Sequence, residues 1–467
     1  MTSATLPPAD LIAGPGIVIT QDSRRTILRD AWIAATAGTI TYVGPESGLP
    51  PLAPAGEHLD AAGQFIFPGF IDTHTHLYQT LMKGLGDDMG LRVWLERLTF
   101  RTIPHLIRAD TYLGALVGLC EAIRSGTTTV LDFFVNVTNH ETWEGIAQAF
   151  AETGVRGYLA FGLADAAPSR TTQPLEEQLA DIRAWAATNR LPLLKPMLGP
   201  GTCWVMTPAG LARVREEANR TGLPITLHLN EAVQDCAQSV AQYGEHSVPL
   251  LERVGFLGPD VVLAHCCYMT DEDIAILART GASVATNPIS NMYLGNVFAR
   301  IPEMLAAGVN VSLGPDGAAS NNTQDMLEAL KALALVQKGR WEDAAKMTAQ
   351  QALDIATLGG ARALGRQHDL GSLEPGKRAD FFLFDPRDVR CGPWHEPVSA
   401  LVYSGSEHNV TATVVEGRVL MRNRRILVLD EPALVEEAQA QAISLRERAG
   451  TGSLLAGRPY MRVEAAT

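Results

Sequence analysis

The sequence predicts an α/β fold: a (β/α)8 TIM-like barrel with a small β-sandwich that the two ends of the chain build together. Three observations predict it. Strand-like runs gather at both ends, short apolar runs alternate with stretches of helical length through the middle, and many of those middle runs finish in a polar residue.

The first part of the sandwich is expected over residues 1–66. From about residue 11, β-rich runs such as GIVIT at 16–20 and TITYV at 39–43 are punctuated by Gly and Pro, the chemistry of strands and turns. The barrel is expected over residues 67–370. Its runs include TTVLD at 128–132, GYLAF at 157–161, LLKPM at 193–197 and PITLH at 224–228, followed by VVLAH at 261–265, ASVAT at 282–286 and VNVSL at 309–313. Strands spaced by helices form a parallel sheet, and about eight such units close into a barrel whose chemistry sits at the C-terminal ends of its strands. Strand texture returns over 371–430, in ADFFLF at 379–384, VTATVV at 410–415 and RVLM at 418–421, completing the sandwich. The remaining segment, 431–467, is a C-terminal helix and tail. Its charged amphipathic stretch at 433–448 suits packing or a contact between subunits more than chemistry.

Bulk properties narrow the function. A chain of 467 residues, 46% hydrophobic and 19% charged, fits a large barrel plus a smaller partner. The net charge of −13 repels nucleic acid and anionic membranes and suits a small neutral or cationic substrate. Six scattered cysteines without a CxxC pair read as reduced thiols of a cytoplasmic enzyme. Residues 1–16 lack the pattern of a signal peptide, and no apolar run reaches the roughly 20 residues that span a bilayer.

The chemistry concentrates at strand ends. In PGFIDTHTH at 68–76, His74 and His76 stand two residues apart on a strand, so they share a face and make half of a metal site. His228 closes ITLH, His265 closes VLAH, and Asp316 closes VSLGPD. One such terminus could be a satisfied core residue. Several converging on one rim are explained most economically by a shared ion, because buried imidazole and carboxylate without partners cost several kcal/mol each.

This order of residues resembles the amidohydrolase superfamily, in its branch of cytosine, guanine and adenosine-type deaminases and chloro-s-triazine hydrolases. The matching phrases are PGFIDTHTH at 68–76, HLNE at 228–231, His265-Cys266, Ser290-Asn291, DGAASNN at 316–322 and GSLEPGKRAD at 371–380. The resemblance implies one divalent ion per chain, held by His74, His76, His228 and Asp316. Lys195, the one candidate for a second-metal bridge, lies inside its run rather than at the end. Zinc suits these ligands, and iron would fit them too. It further implies hydroxide generated at the ion, with Asp316 taking the water's proton, His265 orienting the nucleophile and Glu231 shuttling a proton to the heterocycle. Relatives of this kind are often dimers or tetramers, so a homo-oligomer is expected.

Substrate signals are thinner. Gln79 resembles a position that contacts the ring in purine-type deaminases, Trp94 could wall a flat pocket, and Asn291 could line it or fix a turn. Two departures weaken a nucleoside reading. Gly201 stands where nucleoside deaminases of the branch carry a histidine, and His105-Leu106 follows Pro104 where they carry a ribose-binding glutamate. The expected function is therefore deamination of a small amino-substituted purine, pterin, pyrimidine or s-triazine, with ammonia released. An s-triazine hydrolase displacing chloride or alkylamine is the alternative within the same chemistry, and a metal-free binding protein is the alternative outside it.

Overall fold

The computed structural model describes residues 7–135, 139–166 and 173–456. Five strands open the chain: β1 (Ala9–Ile19), β2 (Ile27–Thr36), β3 (Thr39–Pro45), β4 (Leu52–Leu59) and β5 (Phe65–Pro68). Register shifts between Ala13 and Val18 break the regularity of β1. Its first half pairs with β4 and its second half with β5, while β2 runs antiparallel along the other side.

Eight parallel strands then close into a barrel: β6 (Phe70–Thr75), β7 (Thr127–Phe134), β8 (Arg156–Leu163), β9 (Leu194–Pro200), β10 (Ile225–Leu229), β11 (Val261–His265), β12 (Ser283–Thr286) and β13 (Val311–Leu313). All eight residues of β7 are buried, as expected where side chains face the barrel interior on one side and the helical layer on the other. The intervening helices carry the expected punctuation. The helix Pro208–Thr221 starts behind Thr207, whose hydroxyl accepts from Gly210 N, and ends at Gly222 with φ +73°. Lys195 lies near the start of β9 and is exposed, away from the rim where the strands end.

Four last strands, β14 (Phe381–Phe384), β15 (Val410–Val415), β16 (Arg418–Arg422) and β17 (Arg425–Ile426), return to the opening ones. β14 pairs antiparallel with β5, making one nine-stranded mixed sheet from both ends of the chain. Its interior is a separate apolar cluster that includes Leu11, Val18, Ile33, Leu59, Phe381 and Val414.

Two devices seat this sheet against the barrel. Gly69 joins β5 to β6, and a Cβ there would fall 2.1 Å from the Thr128 hydroxyl, so the approach requires glycine. Arg156 at the start of β8 donates to Asp380 at 3.0 Å and to Glu416 at 2.6 Å, a buried junction built on the closing Asp of the 371–380 phrase. The C-terminal helix Glu431–Arg448 packs on the helix Arg108–Arg124, tied by Arg124–Glu431 and Arg448–Asp110 pairs of 2.6 Å. No described helix is long and apolar enough to cross a membrane.

Candidate metal centre and active site

Four barrel strands deliver the polar residues to one point. His74 lies in β6 and His76 directly follows it, His228 lies in β10, His265 ends β11, and Asp316 stands three residues past β13. His265 and Asp316 adopt left-handed backbone, with φ of +69° and +70°. That conformation costs a non-glycine residue on the order of 1–2 kcal/mol. Here it turns both side chains inward at the barrel mouth.

The ligand atoms gather closely. Asp316 Oδ1 lies 3.3 Å from His76 Nε2 and 3.5 Å from His74 Nε2, and His228 Nε2 lies 3.2 Å from His76 Nε2. Donors held about 2.0–2.1 Å from one ion in a tetrahedron stand roughly 3.3 Å apart, so these spacings are those of a metal site. The ring orientations agree. His76 Nδ1–H donates to the Phe133 carbonyl at 2.6 Å and His228 Nδ1–H to the Gly201 carbonyl at 3.0 Å, leaving each Nε2 lone pair for an ion. Both ring nitrogens of His74 are buried and lack a hydrogen-bond partner, a cost that coordination of one of them would relieve. The residues present fit a divalent cation.

Comparison with known proteins agrees with this geometry. The amidohydrolase family matches residues 65–420. The chain belongs to the amidohydrolase family. A 5′-deoxyadenosine deaminase of Methanosarcina barkeri is 37% identical over 94% of this chain and 99% of its own length. A 5-methylthioadenosine/S-adenosylhomocysteine deaminase of Desulforudis audaxviator is 37% identical over 89% of this chain and 95% of its own. Among solved structures, a zinc-bound adenosine deaminase from Xanthomonas campestris superposes with a TM-score of 0.88 at 30% identity, over 95% of this chain and all of that one. An atrazine chlorohydrolase from Arthrobacter aurescens, complexed with zinc, gives a TM-score of 0.86 at 26% identity, over 92% of this chain and all of that one.

Around its ligands this amidohydrolase sets opposed proton affinities. Burial opposes ionisation of Asp316, yet the close approach of His74 and the neighbouring imidazoles of His265 and His76 hold it well below the usual carboxylate range. The Gly317 N–H (2.7 Å) and the Ser290 and Ser320 hydroxyls donate to it. Burial pushes His74 down to about 4 and His76 and His228 in the same direction, so all three stay neutral and able to bind a metal. Burial instead pushes Glu231 up to about 8. Its carboxylate lies 3.6 Å from His265 Nε2, and the charges of Glu231 and Asp316 raise His265 against its own burial.

The site floors a cavity of about 410 Å³ lined by His76, His228, Glu231, His265, Asp316, Gln79 and Trp94, among others. Trp94 Nε1–H donates to the Ala319 carbonyl at 3.0 Å, which locks the ring in the wall. Gln79 is buried in the lining, and its Oε1 has no partner. Asn291 differs from the expectation of a substrate contact. It is not among the lining residues, because its Oδ1 is turned to accept from His265 Nδ1–H at 3.0 Å. It positions the imidazole and leaves Nε2 free to face the cavity.

Several contributors escape a reading of the sequence. The carbonyls of Phe133 and Gly201 act through backbone and leave no side-chain signature. Ser290 is more accessible, since it stands inside the Ser290-Asn291 phrase. Asp132, whose Oδ1 accepts from Leu77 N at 2.8 Å just past His76, is signalled by a carboxylate ending an apolar run.

The raised Glu231 carries a testable sign. A carboxyl whose folded value lies above its unfolded one stabilises the fold at low pH, and that contribution is lost as pH rises from about 4.5 through about 8. In the metal-free protein, Glu231→Gln is expected to match the wild type at pH 5 and to exceed it by a few kcal/mol at pH 9, given ~1.4 kcal/mol per unit. Urea unfolding at the two pH values measures this. A gap that does not widen with pH would remove the burial argument.

Proposed function

We propose that this amidohydrolase is a metal-dependent aminohydrolase that replaces the amino group of a small N-heterocycle by water and releases ammonia. One observation carries the reading. His74, His76 and Asp316 bring ligand atoms within 4.8 Å of one another, and His74, His228 and His265 do the same, beside a cavity lined by His76, His228, His265 and Asp316, with a carboxyl that favours its protonated form in the same lining. The deaminase names of the relatives that are 37% identical over most of the chain support it and make a 6-aminopurine ring the first candidate. Zinc is the proposed ion, in line with the zinc-bound neighbours.

A divalent ion in this site would acidify a water molecule from a pKa near 15.7 to about 7. The chain's own groups do the rest. Asp316, ionised throughout the neutral range, accepts the proton of the attacking water. Glu231, protonated below about pH 8, donates to the ring nitrogen beside the carbon under attack, so that no negative charge builds on the ring. His265, aimed by Asn291, orients the nucleophile. The proton collected by Asp316 then leaves with the amine as ammonia, and the newly added hydroxyl returns a proton to Glu231, so water and aminoheterocycle become the oxo (hydroxy) heterocycle and ammonia with both carboxyl groups restored.

The fold similarity to atrazine chlorohydrolase favours a second reading, displacement of chloride or an alkylamine from an s-triazine. A screen of the zinc-loaded protein on adenine, aminopterins, cytosine, melamine and atrazine separates the two. Ammonia from an aminated ring supports the first reading. Chloride or alkylamine release from atrazine, without ammonia from any aminated ring, supports the second.

A further inference from the structure

The imidazoles meet the carboxylate of Asp316, while a second set of contacts grips its backbone. Asp316 N–H donates to the His74 carbonyl at 3.0 Å. Its own carbonyl accepts from Gln324 Nε2 at 2.9 Å. The Thr75 hydroxyl donates to Gln324 Oε1 at 2.7 Å and lies 3.0 Å from the same Asp316 carbonyl. Thr75 ends β6, between His74 and His76. This run of bonds therefore ties the backbone of one proposed ligand to the strand that carries another and leads directly into a third. Gln324 and Thr75 are both buried, and both ends of the Gln324 amide are used inside the network.

Asp316 needs such restraint. Its φ of +70° lies where few residues other than glycine settle, and strained backbone persists only where its surroundings over-determine it. In this conformation Oδ1 stands 3.5 Å from His74 Nε2 and 3.3 Å from His76 Nε2. A relaxed backbone would swing the carboxylate out of that arrangement. Much of the hold within the loop is local, through the Ser320 hydroxyl on the Gly317 carbonyl and Asn322 N on the Ala318 carbonyl. Gln324 is anchored from outside. The next residue, Asp325, caps the helix Met326–Trp341 by accepting from Leu327 N at 2.7 Å. The amide thus projects from the root of a 16-residue helix, a rigid support for a group that must be aimed to within about 0.5 Å. Gln324 is absent from the cavity lining, which takes in His76, His228, Asp316 and side chains of residues 91–106.

We infer that Gln324 is a positioning residue of the metal centre: it clamps the left-handed Asp316 to the strand of His74, so that the carboxylate is aimed before an ion arrives. The inference rests on the metal site proposed above. It adds to that site a group that binds neither ion nor substrate and acts through the Asp316 backbone.

The test compares wild type with Gln324→Leu, which keeps most of the volume and removes both amide contacts. Zinc affinity of the full chain is measured by competition with a chelator at neutral pH. The visible absorption of cobalt(II) bound in place of zinc reports the geometry of the ligands. The variant is expected to bind zinc about 10–100-fold more weakly, the usual consequence of removing a group that orients a ligand, and to show a changed cobalt band. A side chain that merely supports the fold would lower the thermal midpoint of the metal-free protein without moving either readout. Gln324→Met makes the same comparison should Gln324→Leu fail to fold. A loss of affinity below about tenfold, or a cobalt spectrum that stays as in wild type, overturns the inference and leaves the metal centre standing. A wild-type chain that holds no zinc overturns both.

Discussion

Asp316→Ala is expected to abolish both metal retention and turnover, the largest loss of any single substitution in this protein. Zinc should fall from about one ion per chain to less than a tenth, and kcat by at least ~10⁴-fold, since general-base assistance is worth about 10²–10⁴ and the acidified water disappears with the ion. The expectation follows from how much converges on this side chain. Its Oδ1 sits within 3.5 Å of the Nε2 atoms of both His74 and His76, while Gly317, Ser290 and Ser320 hold the carboxylate in place. Removing it leaves three neutral imidazoles with no anionic ligand and no acceptor for the water's proton. Backbone strain must be separated from lost chemistry, because Asp316 has φ +70° and alanine tolerates that conformation poorly. Asp316→Asn is the control, since asparagine accepts left-handed backbone. Thermal midpoints near wild type with metal and activity both gone in the two variants would confirm the role. Activity within tenfold of wild type in either would remove Asp316 from the site.

The parts of this centre that could be read from the sequence are those in which chemistry interrupts an apolar pattern. His228 and His265 are polar residues where a barrel strand should be apolar, and His74-Thr-His76 places two imidazoles on one face. Period-two alternation and strand spacing were enough to locate them at the rim. What holds them was not legible, because it acts through the backbone: any residue at positions 133 or 201 offers a carbonyl, and only the fold aims those two at His76 and His228. Asn291 shows the same limit from the other side. Its place after a strand end signalled involvement, but the choice between facing the cavity and facing His265 depends on the helix Pro288–Tyr293 that carries it. The wall formed by residues 91–106 was least legible. Its leucines and aromatics have the composition of an ordinary core, and only the folded segment, laid over the barrel mouth, reveals that they line a cavity instead. The two departures noted at Gly201 and Leu106 were visible in sequence as missing polar groups.

Glu231→Gln is expected to keep the metal and lose turnover by about 10²–10⁴-fold, the range of a general acid–base group. The substitution is nearly isosteric, and Glu231 belongs to neither group of clustered ligand atoms, His74 with His76 and Asp316 or His74 with His228 and His265; it stands 3.6 Å from His265 Nε2. Zinc content should therefore stay near one per chain, and binding of an unreactive heterocycle should change only a few-fold. Turnover should fall because glutamine cannot give a proton to the ring and recover it. Burial beside acidic neighbours keeps the Glu231 proton until about pH 8, so the carboxyl is neutral and able to donate across the neutral range. A substrate whose ring is already protonated in solution needs this donation least, so a more basic heterocycle should be slowed less by the variant than a weakly basic one. Equal slowing of both, with metal retained, would move Glu231 from proton transfer to substrate binding. Full activity would remove Glu231 from proton transfer.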